Sequence, residues 1–144
     1  MNKTLKIGAG REIITPPLGM ILSGYAPGRP AVSINDDLRV TCLALADGQT
    51  KAMLISADIC TYQKESSDRL RSLVADQVGV PAANVIFSPT HTHSGPVTSS
   101  GWIKTGGQHL SYIEEIFEPA VQKAAKAAWA SLEPAHMGIG TVQS

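Results

Sequence analysis

KAMLISAD (51–58) and VIFS (85–88) are two apolar segments typical of strands. The stretch between them has a different spacing of apolar residues. Between them, apolar residues recur at helical spacing over 63–78 with charges interspersed, and Gly79 provides the stop. The three segments have the length of a βαβ unit, in which the crossover between parallel strands is right-handed. Parallel pairing would bring Asp58 and the loop after VIFS to the carboxyl edge of one sheet, where open α/β sheets bind ligands.

The rest of the chain supplies further strands and one long helix. Apolar patterning and turn residues predict a strand over 4–14, a long loop over 15–37, a strand over 38–46, a helix over 110–132 and a strand over 135–142. Asp47-Gly48 is a hairpin-type turn signal, and Pro119 is expected to kink or restart the helix. The order β, β, β, α, β, α, β predicts an α/β fold. We expect a mixed sheet with a βαβ unit and flanking helices, forming an incomplete part of a larger α/β domain.

Composition limits the classes of partner and compartment. The 144 residues fit one domain, and 12 basic residues balance 12 acidic ones, which argues against nucleic acid or an anionic membrane as the main partner. A neutral protein can still bind a lipid through a pocket. The N-terminus has no signal-peptide features, and no run approaches the roughly 18 apolar residues of a membrane helix. We therefore expect a cytoplasmic polypeptide without a transmembrane segment, in which Cys42 and Cys60 are small buried hydrophobes.

The stretch SPTHTHSGP (88–96) follows the second strand of the βαβ unit and holds two of the four histidines. In an extended segment, residues two apart point to the same side, so His91 and His93 would both face the crevice, roughly 6–7 Å apart along the chain. Two imidazoles on one side suit a divalent metal, above all Zn²⁺. Thr90 and Ser94 could hold the rings by hydrogen bonds.

Three other polar residues lie where they could reach this crevice. Asp58 could orient a histidine, as carboxylates do at metal sites, or it could cap the end of its strand. Tyr25 and Arg29 belong to the loop over 15–37 and could also reach the crevice, although no motif requires it.

Several further segments resemble the neutral/alkaline, non-lysosomal ceramidase family. The most specific is THTHSGP after a strand. The other segments agree in order: IGAGREIITPP (7–17), LSGYAPG (22–28), NDDLRVTCLAL (35–45), AMLISADI (52–59) and the helix-plus-strand run over 118–143. The resemblance spans nearly the whole chain, which would be a single N-terminal portion, residues 1–144, of a ceramidase-like catalytic domain.

The resemblance implies a reaction and roles for three residues. In that family the first histidine of the motif, here His91, is a ligand of the catalytic zinc. The second, here His93, lines the same pocket and would contact the scissile amide or its oxyanion. The glycine of the GYA segment, here Gly24, would lie near the substrate head group. The family reaction is hydrolysis of the N-acyl bond of ceramide, a lipid amide, to sphingosine and a fatty acid.

The same resemblance implies that parts of the site lie elsewhere. The family's second histidine ligand, a glutamate, a tyrosine and a catalytic serine all follow the motif at a distance, beyond Ser144. The chain alone is therefore expected to be incomplete for catalysis. Val97-Thr98 also departs from the Gly-Gly that commonly follows the motif, which affects the lipid-specific part of the pocket. An open sheet edge at the C-terminus favours self-association.

The remaining histidines and helical glutamates are predicted to have no part in the site. His109 opens a helix and His136 lies in the predicted last strand, so both are expected to be structural or surface residues. Glu114, Glu115 and Glu118 are expected to form the solvated face of the long helix.

Two alternatives remain open at this point. The chain could belong to another metal-dependent hydrolase, in which both histidines are ligands, as in amidohydrolase-type barrels. It could instead be a non-catalytic binding or assembly module that keeps the fold without a complete site.

Overall fold

The structure, a computed structural model, describes residues 4–24, 27–100 and 108–143. Its elements, in chain order, are strand β1 (Lys6–Ile13), strand β2 (Arg39–Ala46), strand β3 (Lys51–Ala57), helix α1 (Lys64–Val78), a 3-10 turn (Ala82–Asn84), strand β4 (Val85–Pro89), helix α2 (Leu110–Tyr112), a π-helical turn (Ile113–Phe117), helix α3 (Glu118–Ala130) and strand β5 (Glu133–Pro134).

The five strands form one mixed sheet in the order β4-β3-β2-β1-β5. Strands β3 and β4 are parallel and are joined through α1, whereas all other neighbours are antiparallel. The hairpin between β2 and β3 turns at Asp47-Gly48, where an Asp47 carboxylate oxygen accepts the N–H of Thr50 and Gly48 has φ +84°. The predicted α/β fold with a mixed sheet, a βαβ unit and flanking helices is confirmed.

Helices α1 and α3 cover one face of the sheet. Helix α1 buries Leu70 and Val74 in the core. Helix α3 lies so close to β1 that a Cβ atom on Gly8 or Gly10 would fall 2.1 Å from a helix carbonyl oxygen. Only glycine permits this close approach of strand and helix backbones. None of the helices in the described part of the chain has the length and apolar content that crossing a membrane requires.

The opposite face of the sheet carries an apolar row. Ala9, Leu43, Leu54 and Ile86 are paired across β1, β2, β3 and β4, and all four are exposed. Ile86, on the outermost strand, is 57% exposed. The core of the described residues therefore lies on the helical side alone.

The strand predicted over 135–142 is wrong. Strand β5 is only Glu133–Pro134, and it pairs with Ile7 and Lys6 at the start of β1. After Pro134 the Ala135 N–H still donates to the Leu5 carbonyl oxygen at 2.9 Å, but residues 135–143 lie outside any strand. His136, predicted to lie in this strand, is an exposed residue outside it.

The predicted interruption near Pro119 is confirmed as a π-helical turn over Ile113–Phe117. The predicted solvated face holds for Glu114 and Glu115, which are exposed, but it is wrong for Glu118, which is 6% exposed. The π-helical turn inserts one residue into the helix, which shifts the residues after it by about 100° around the axis. Glu118 therefore faces inward rather than toward solvent.

The buried Glu118 carboxylate is satisfied by two donors from the other side of the core. The Tyr62 hydroxyl donates to Glu118 Oε1 at 2.7 Å, and the Arg69 guanidinium donates to the same oxygen. Burial, followed by the hydrogen bond to Glu118, raises the pKa of the Tyr62 phenol. Glu118 thus joins α3 to α1, which carries Arg69.

Candidate active site

The loop after β4 leaves the sheet beside the segment that leaves β3. The Thr90 N–H donates to the Ala57 carbonyl oxygen at 2.9 Å, and the His91 N–H donates to the Ile59 carbonyl oxygen at 3.1 Å. Because the two strands are parallel, both segments emerge at the carboxyl edge of the sheet. The structure therefore brings Asp58 and the histidine loop together at one edge.

His91 is held in an unusual backbone conformation. Its φ is +66°, the only positive φ of a non-glycine residue in the described part of the chain. This region costs a non-glycine residue on the order of 1–2 kcal/mol, so the surroundings must hold it. The His91 ring Nδ1 lies 3.0 Å from the Cys60 carbonyl oxygen, which can only accept a hydrogen bond. Nδ1 therefore carries the hydrogen, and Nε2 is the ring nitrogen that could coordinate a metal.

The rings of His91 and His93 lie side by side. Their centroids are 5.1 Å apart, and the ring planes are inclined at 64°. The prediction that the two imidazoles lie on the same side of the loop is confirmed. The expected reason, an extended segment over 91–93, is wrong. The positive φ at His91 turns the chain, and the rings meet edge to face across that turn.

Gly24 contacts the ring of His93. A Cβ atom built on Gly24 would lie 2.5 Å from His93 Cγ, and the φ of +121° at Gly24 is one that L side chains rarely adopt. The segment is held over the histidine loop because the Ser23 N–H donates to the Gly95 carbonyl oxygen at 2.8 Å, and because Leu22 forms a β-bridge with Pro96. Glycine at position 24 therefore leaves space for the His93 ring.

Asp58 joins β2 to the start of the histidine loop. One carboxylate oxygen accepts the Arg39 N–H at 2.9 Å, and the other accepts the Thr90 hydroxyl at 3.2 Å. Asp58 thus caps a strand and also fixes the residue immediately before His91. Ser94 uses its N–H for a hydrogen bond of 3.3 Å to the Thr92 hydroxyl, which tightens the turn after the histidines.

Cys60 completes a cluster with the two histidines. Each of the three side chains has a potential ligand atom within 4.8 Å of those of the other two. The Cys60 thiol is 1% exposed, and its sulfur lies 3.8 Å from His91 Nδ1. The expectation of a buried cysteine is confirmed, but its place beside the histidines was missed. A thiolate and two imidazoles are donors that divalent zinc accepts.

A cavity of about 400 Å³ opens between the loop over 15–37 and the histidine loop. Its walls combine apolar side chains such as Leu22 and Ile34 with the polar residues Arg29, Asp36 and Ser94. Arg29 thus lines a cavity next to the histidine loop, while Tyr25 lies outside the described residues. Ser94 is the residue of the histidine loop that lines this cavity, whereas Cys60, His91 and His93 are not among the lining residues.

Residues after the motif fasten the loop to the fold. Thr98, 1% exposed, donates its hydroxyl hydrogen to the Thr61 carbonyl oxygen. The His109 N–H donates to the Val97 carbonyl oxygen at 2.9 Å, and His109 Nε2 lies 3.2 Å from the Ile21 carbonyl oxygen. These contacts support the structural role predicted for His109. Val97 and Thr98, which stand where the resembling family commonly has glycines, fill the interior with side chains.

Comparison with known proteins identifies two similar proteins of known name. Neutral ceramidase B of Dictyostelium discoideum is 30% identical over an alignment of 145 positions that covers 94% of this chain. The chain belongs to the neutral ceramidase family. Neutral ceramidase A of the same organism is 28% identical over the same length. The chain spans about a fifth of the length of these two neutral ceramidases. No family model matches it.

A solved structure supports the fold. The crystal structure of neutral ceramidase from Pseudomonas aeruginosa matches 93% of this chain with a TM-score of 0.77 and 19% sequence identity. The match involves 23% of that larger ceramidase chain. The α/β sheet with its flanking helices is therefore an arrangement that this ceramidase-family chain shares with a known ceramidase.

Proposed function

We propose that the chain supplies one part of the active site of a zinc-dependent amide hydrolase that cleaves the N-acyl bond of a ceramide-type lipid. The observation that carries the proposal is the pair of rings, His91 and His93, 5.1 Å apart on a loop fixed to the carboxyl edge of the sheet. Membership in the neutral ceramidase family supplies the reaction. The adjoining cavity of about 400 Å³, with apolar and polar walls, suits an amphipathic substrate.

His91 would hold the metal through Nε2. The hydrogen bond from its Nδ1 to the Cys60 carbonyl oxygen fixes both the tautomer and the direction of the ring. When bound, zinc supplies Lewis-acid polarisation of an amide carbonyl and a lowered pKa for water. The positive φ at His91 is maintained by the same loop contacts, so the ligand is positioned before any metal arrives.

His93 would contact the amide of the substrate rather than hold the loop in place. A ring N–H directed at the amide oxygen stabilises the negative charge that develops on that oxygen during acyl transfer. Gly24 supports this part because its lack of a side chain leaves room for the ring, and it would lie near the lipid head group. Asp58, Thr90 and Ser94 would keep the loop in place through the hydrogen bonds described above.

The remaining metal ligands and the catalytic serine would come from sequence beyond Ser144, so residues 1–144 alone would have little activity. The test is hydrolysis of a ceramide by the isolated chain and by the complete polypeptide that its gene encodes. We expect zinc-dependent hydrolysis by the complete polypeptide and little by the isolated chain. Strong zinc-dependent cleavage by residues 1–144 would contradict the number of ligands proposed, and a reading frame that stops at Ser144 would remove the enzyme proposal.

A second candidate is a metal-dependent hydrolase in which both histidines are ligands. The nearness of Cys60 to both rings favours it, because three donor side chains lie within 4.8 Å of one another. An amidohydrolase-type barrel does not suit this chain, since β1, β2 and β3 are antiparallel rather than a repeat of strands and helices. The non-catalytic module and the cytoplasmic location stay predictions.

A further inference from the structure

We propose that Tyr62 is a positioning residue, which acts through the backbone of residues 59–63 on the ring of His91. The hydroxyl of Tyr62 bonds to Glu118 and so anchors residues 59–63, the connecting segment, to the helical core. The same segment presents the Cys60 carbonyl oxygen to His91 Nδ1. The inference rests on the proposed function in one respect, since it takes His91 as a residue whose ring must be held in one orientation.

The connecting segment lies beside the histidine loop and bonds to it at several points. The Ile59 carbonyl oxygen accepts the His91 N–H at 3.1 Å, and the Cys60 carbonyl oxygen lies 3.0 Å from the His91 ring. Further along, the Thr61 carbonyl oxygen accepts the hydroxyl hydrogen of Thr98. A displacement of the connecting segment would therefore move both the backbone and the ring of His91.

Tyr62 joins the connecting segment to the core. Its ring meets the rings of Phe87 and Phe117 edge to face, with centroids 5.6 and 5.1 Å away. Its hydroxyl donates to Glu118 Oε1 at 2.7 Å, and Glu118 is buried on α3. Because Phe87 belongs to β4, the strand that leads into the histidine loop, Tyr62 contacts both the helix and the strand that support this loop.

The hydroxyl of Tyr62 supplies a fixed position that ring packing alone does not. Dispersion contacts are individually weak and have no preferred direction, whereas a hydrogen bond holds its partners at one distance and angle. A bond to a carboxylate is also roughly twice as strong as one between neutral groups. Burial, and then the hydrogen bond to Glu118, raises the pKa of the Tyr62 phenol, so the hydroxyl keeps its hydrogen at neutral pH. Loss of this bond should loosen the connecting segment without emptying the space that the ring fills.

Nitrogen NMR of the imidazole rings in the intact chain, at a pH where they are neutral, tests the proposal. The protonated and unprotonated nitrogens of a neutral ring give separate signals, which identify the tautomer. In the wild type, His91 should carry its hydrogen on Nδ1, held by the Cys60 carbonyl oxygen. Tyr62→Phe keeps the ring and removes the hydroxyl. It should raise the population of the Nε2–H tautomer of His91 at least about twofold, the lower end of what one hydrogen bond contributes.

Tyr112→Phe is the matched control. The Tyr112 hydroxyl donates to the Ile14 carbonyl oxygen at 2.6 Å in the same core, and Ile14 lies outside the connecting segment. Both variants should lower the midpoint of thermal unfolding, because each loses a hydrogen bond of the folded state. Only Tyr62→Phe should change the ring signals of His91. Ring signals of His91 that are the same in both variants would assign Tyr62 to stability alone and overturn the proposal.

Glu118→Ala provides a second test, because it removes the acceptor and leaves the hydroxyl of Tyr62 in place. It should also raise the Nε2–H population of His91. Combining it with Tyr62→Phe should add little, since both substitutions break the same hydrogen bond. Effects that add in full would mean that the two side chains act on His91 separately, which contradicts the proposal.

The outcomes separate this inference from the proposed function. The ring signals are measured without zinc or ceramide, so an unchanged tautomer in Tyr62→Phe rejects the positioning role and leaves the zinc hydrolase intact. A complete polypeptide that hydrolyses no ceramide, together with the expected change of tautomer, rejects the proposed function and leaves the connection from Tyr62 to His91 standing.

Discussion

At the scale of single residues, the site depends on backbone conformations that suit few side chains. His91 occupies the left-handed region with φ +66°, and Gly24 has φ +121°. The sequence predicts that the histidine pair forms part of a site, because the spacing of the two histidines and their position after a buried strand are local features. It does not predict Cys60 as their neighbour, since 31 residues separate Cys60 from His91 and no local pattern encodes that contact.

Gly24→Ala should displace the His93 ring. The new Cβ atom would meet His93 Cγ at 2.5 Å, in addition to the strain of a positive φ. Gly28→Ala is the matched control, because Gly28 has φ +72° in the same loop and a Cβ atom there would have nothing within 4 Å. Both variants should lose about 1 kcal/mol of unfolding free energy from backbone strain. Only Gly24→Ala should shift the imidazole NMR signals of His93, and equal signals in both variants would contradict the contact.

At the scale of elements, local patterns predict the βαβ unit and the hairpin but not the end of the chain. Apolar residues alternate along β3 and recur at helical spacing in α1 because one face of each element is buried. The Asp47 side chain and Gly48 together specify the turn between β2 and β3. The alternation over 135–142 carries no information about a partner strand, and β5 ends at Pro134. The inward turn of Glu118 depends on a π-helical turn, which the spacing of residues does not reveal.

Glu118→Ala should destabilise the contact between α1 and α3. The substitution removes the acceptor of the Tyr62 hydroxyl and the ion-pair partner of Arg69. A buried donor left without its acceptor costs about 1–3 kcal/mol, but Tyr62 is half-buried and Arg69 is exposed. The free energy of unfolding in urea should therefore fall by about 1 kcal/mol, the lower end of that range. Glu115→Ala, an exposed position on the same helical segment, should change it by less than about 0.5 kcal/mol. Equal effects of the two substitutions would show that the buried network contributes little.

At the scale of the whole molecule, one layer of helices covers one face of the sheet. The opposite face shows the apolar row of Ala9, Leu43, Leu54 and Ile86, and β4 pairs only with β3 among the described strands. A sheet is stable when both of its apolar faces are covered, as layered α/β architectures illustrate. The expectation of an incomplete part of a larger domain agrees with this exposed face and with relatives of which the chain spans only 20%.

Self-association through an open sheet edge at the C-terminus stays a prediction. Among the described strands β4 forms the other edge, at the opposite end of the sheet from β5, and we expect the isolated chain to pair there. Ile86→Lys places a charge on the outermost strand, and charges on edge strands oppose pairing. The wild type should show a mass above that of one chain by light scattering as its concentration rises, and Ile86→Lys should remain monomeric. Ile139→Lys, at a position 90% exposed outside the sheet, should behave as the wild type. A wild type that is monomeric at every concentration would contradict the prediction.

The central claim is that His91 holds the metal of an amide hydrolase. The most direct measurement determines bound zinc and ceramide hydrolysis together in the complete polypeptide, for the wild type, His91→Ala and His136→Ala. His136 is exposed and outside the site, so its variant should retain both zinc and activity. His91→Ala should lose zinc and hydrolyse ceramide at least about a hundredfold more slowly, as expected for loss of a ligand that positions the charge-stabilising metal. Zinc content and hydrolysis that are unchanged in His91→Ala would contradict the account.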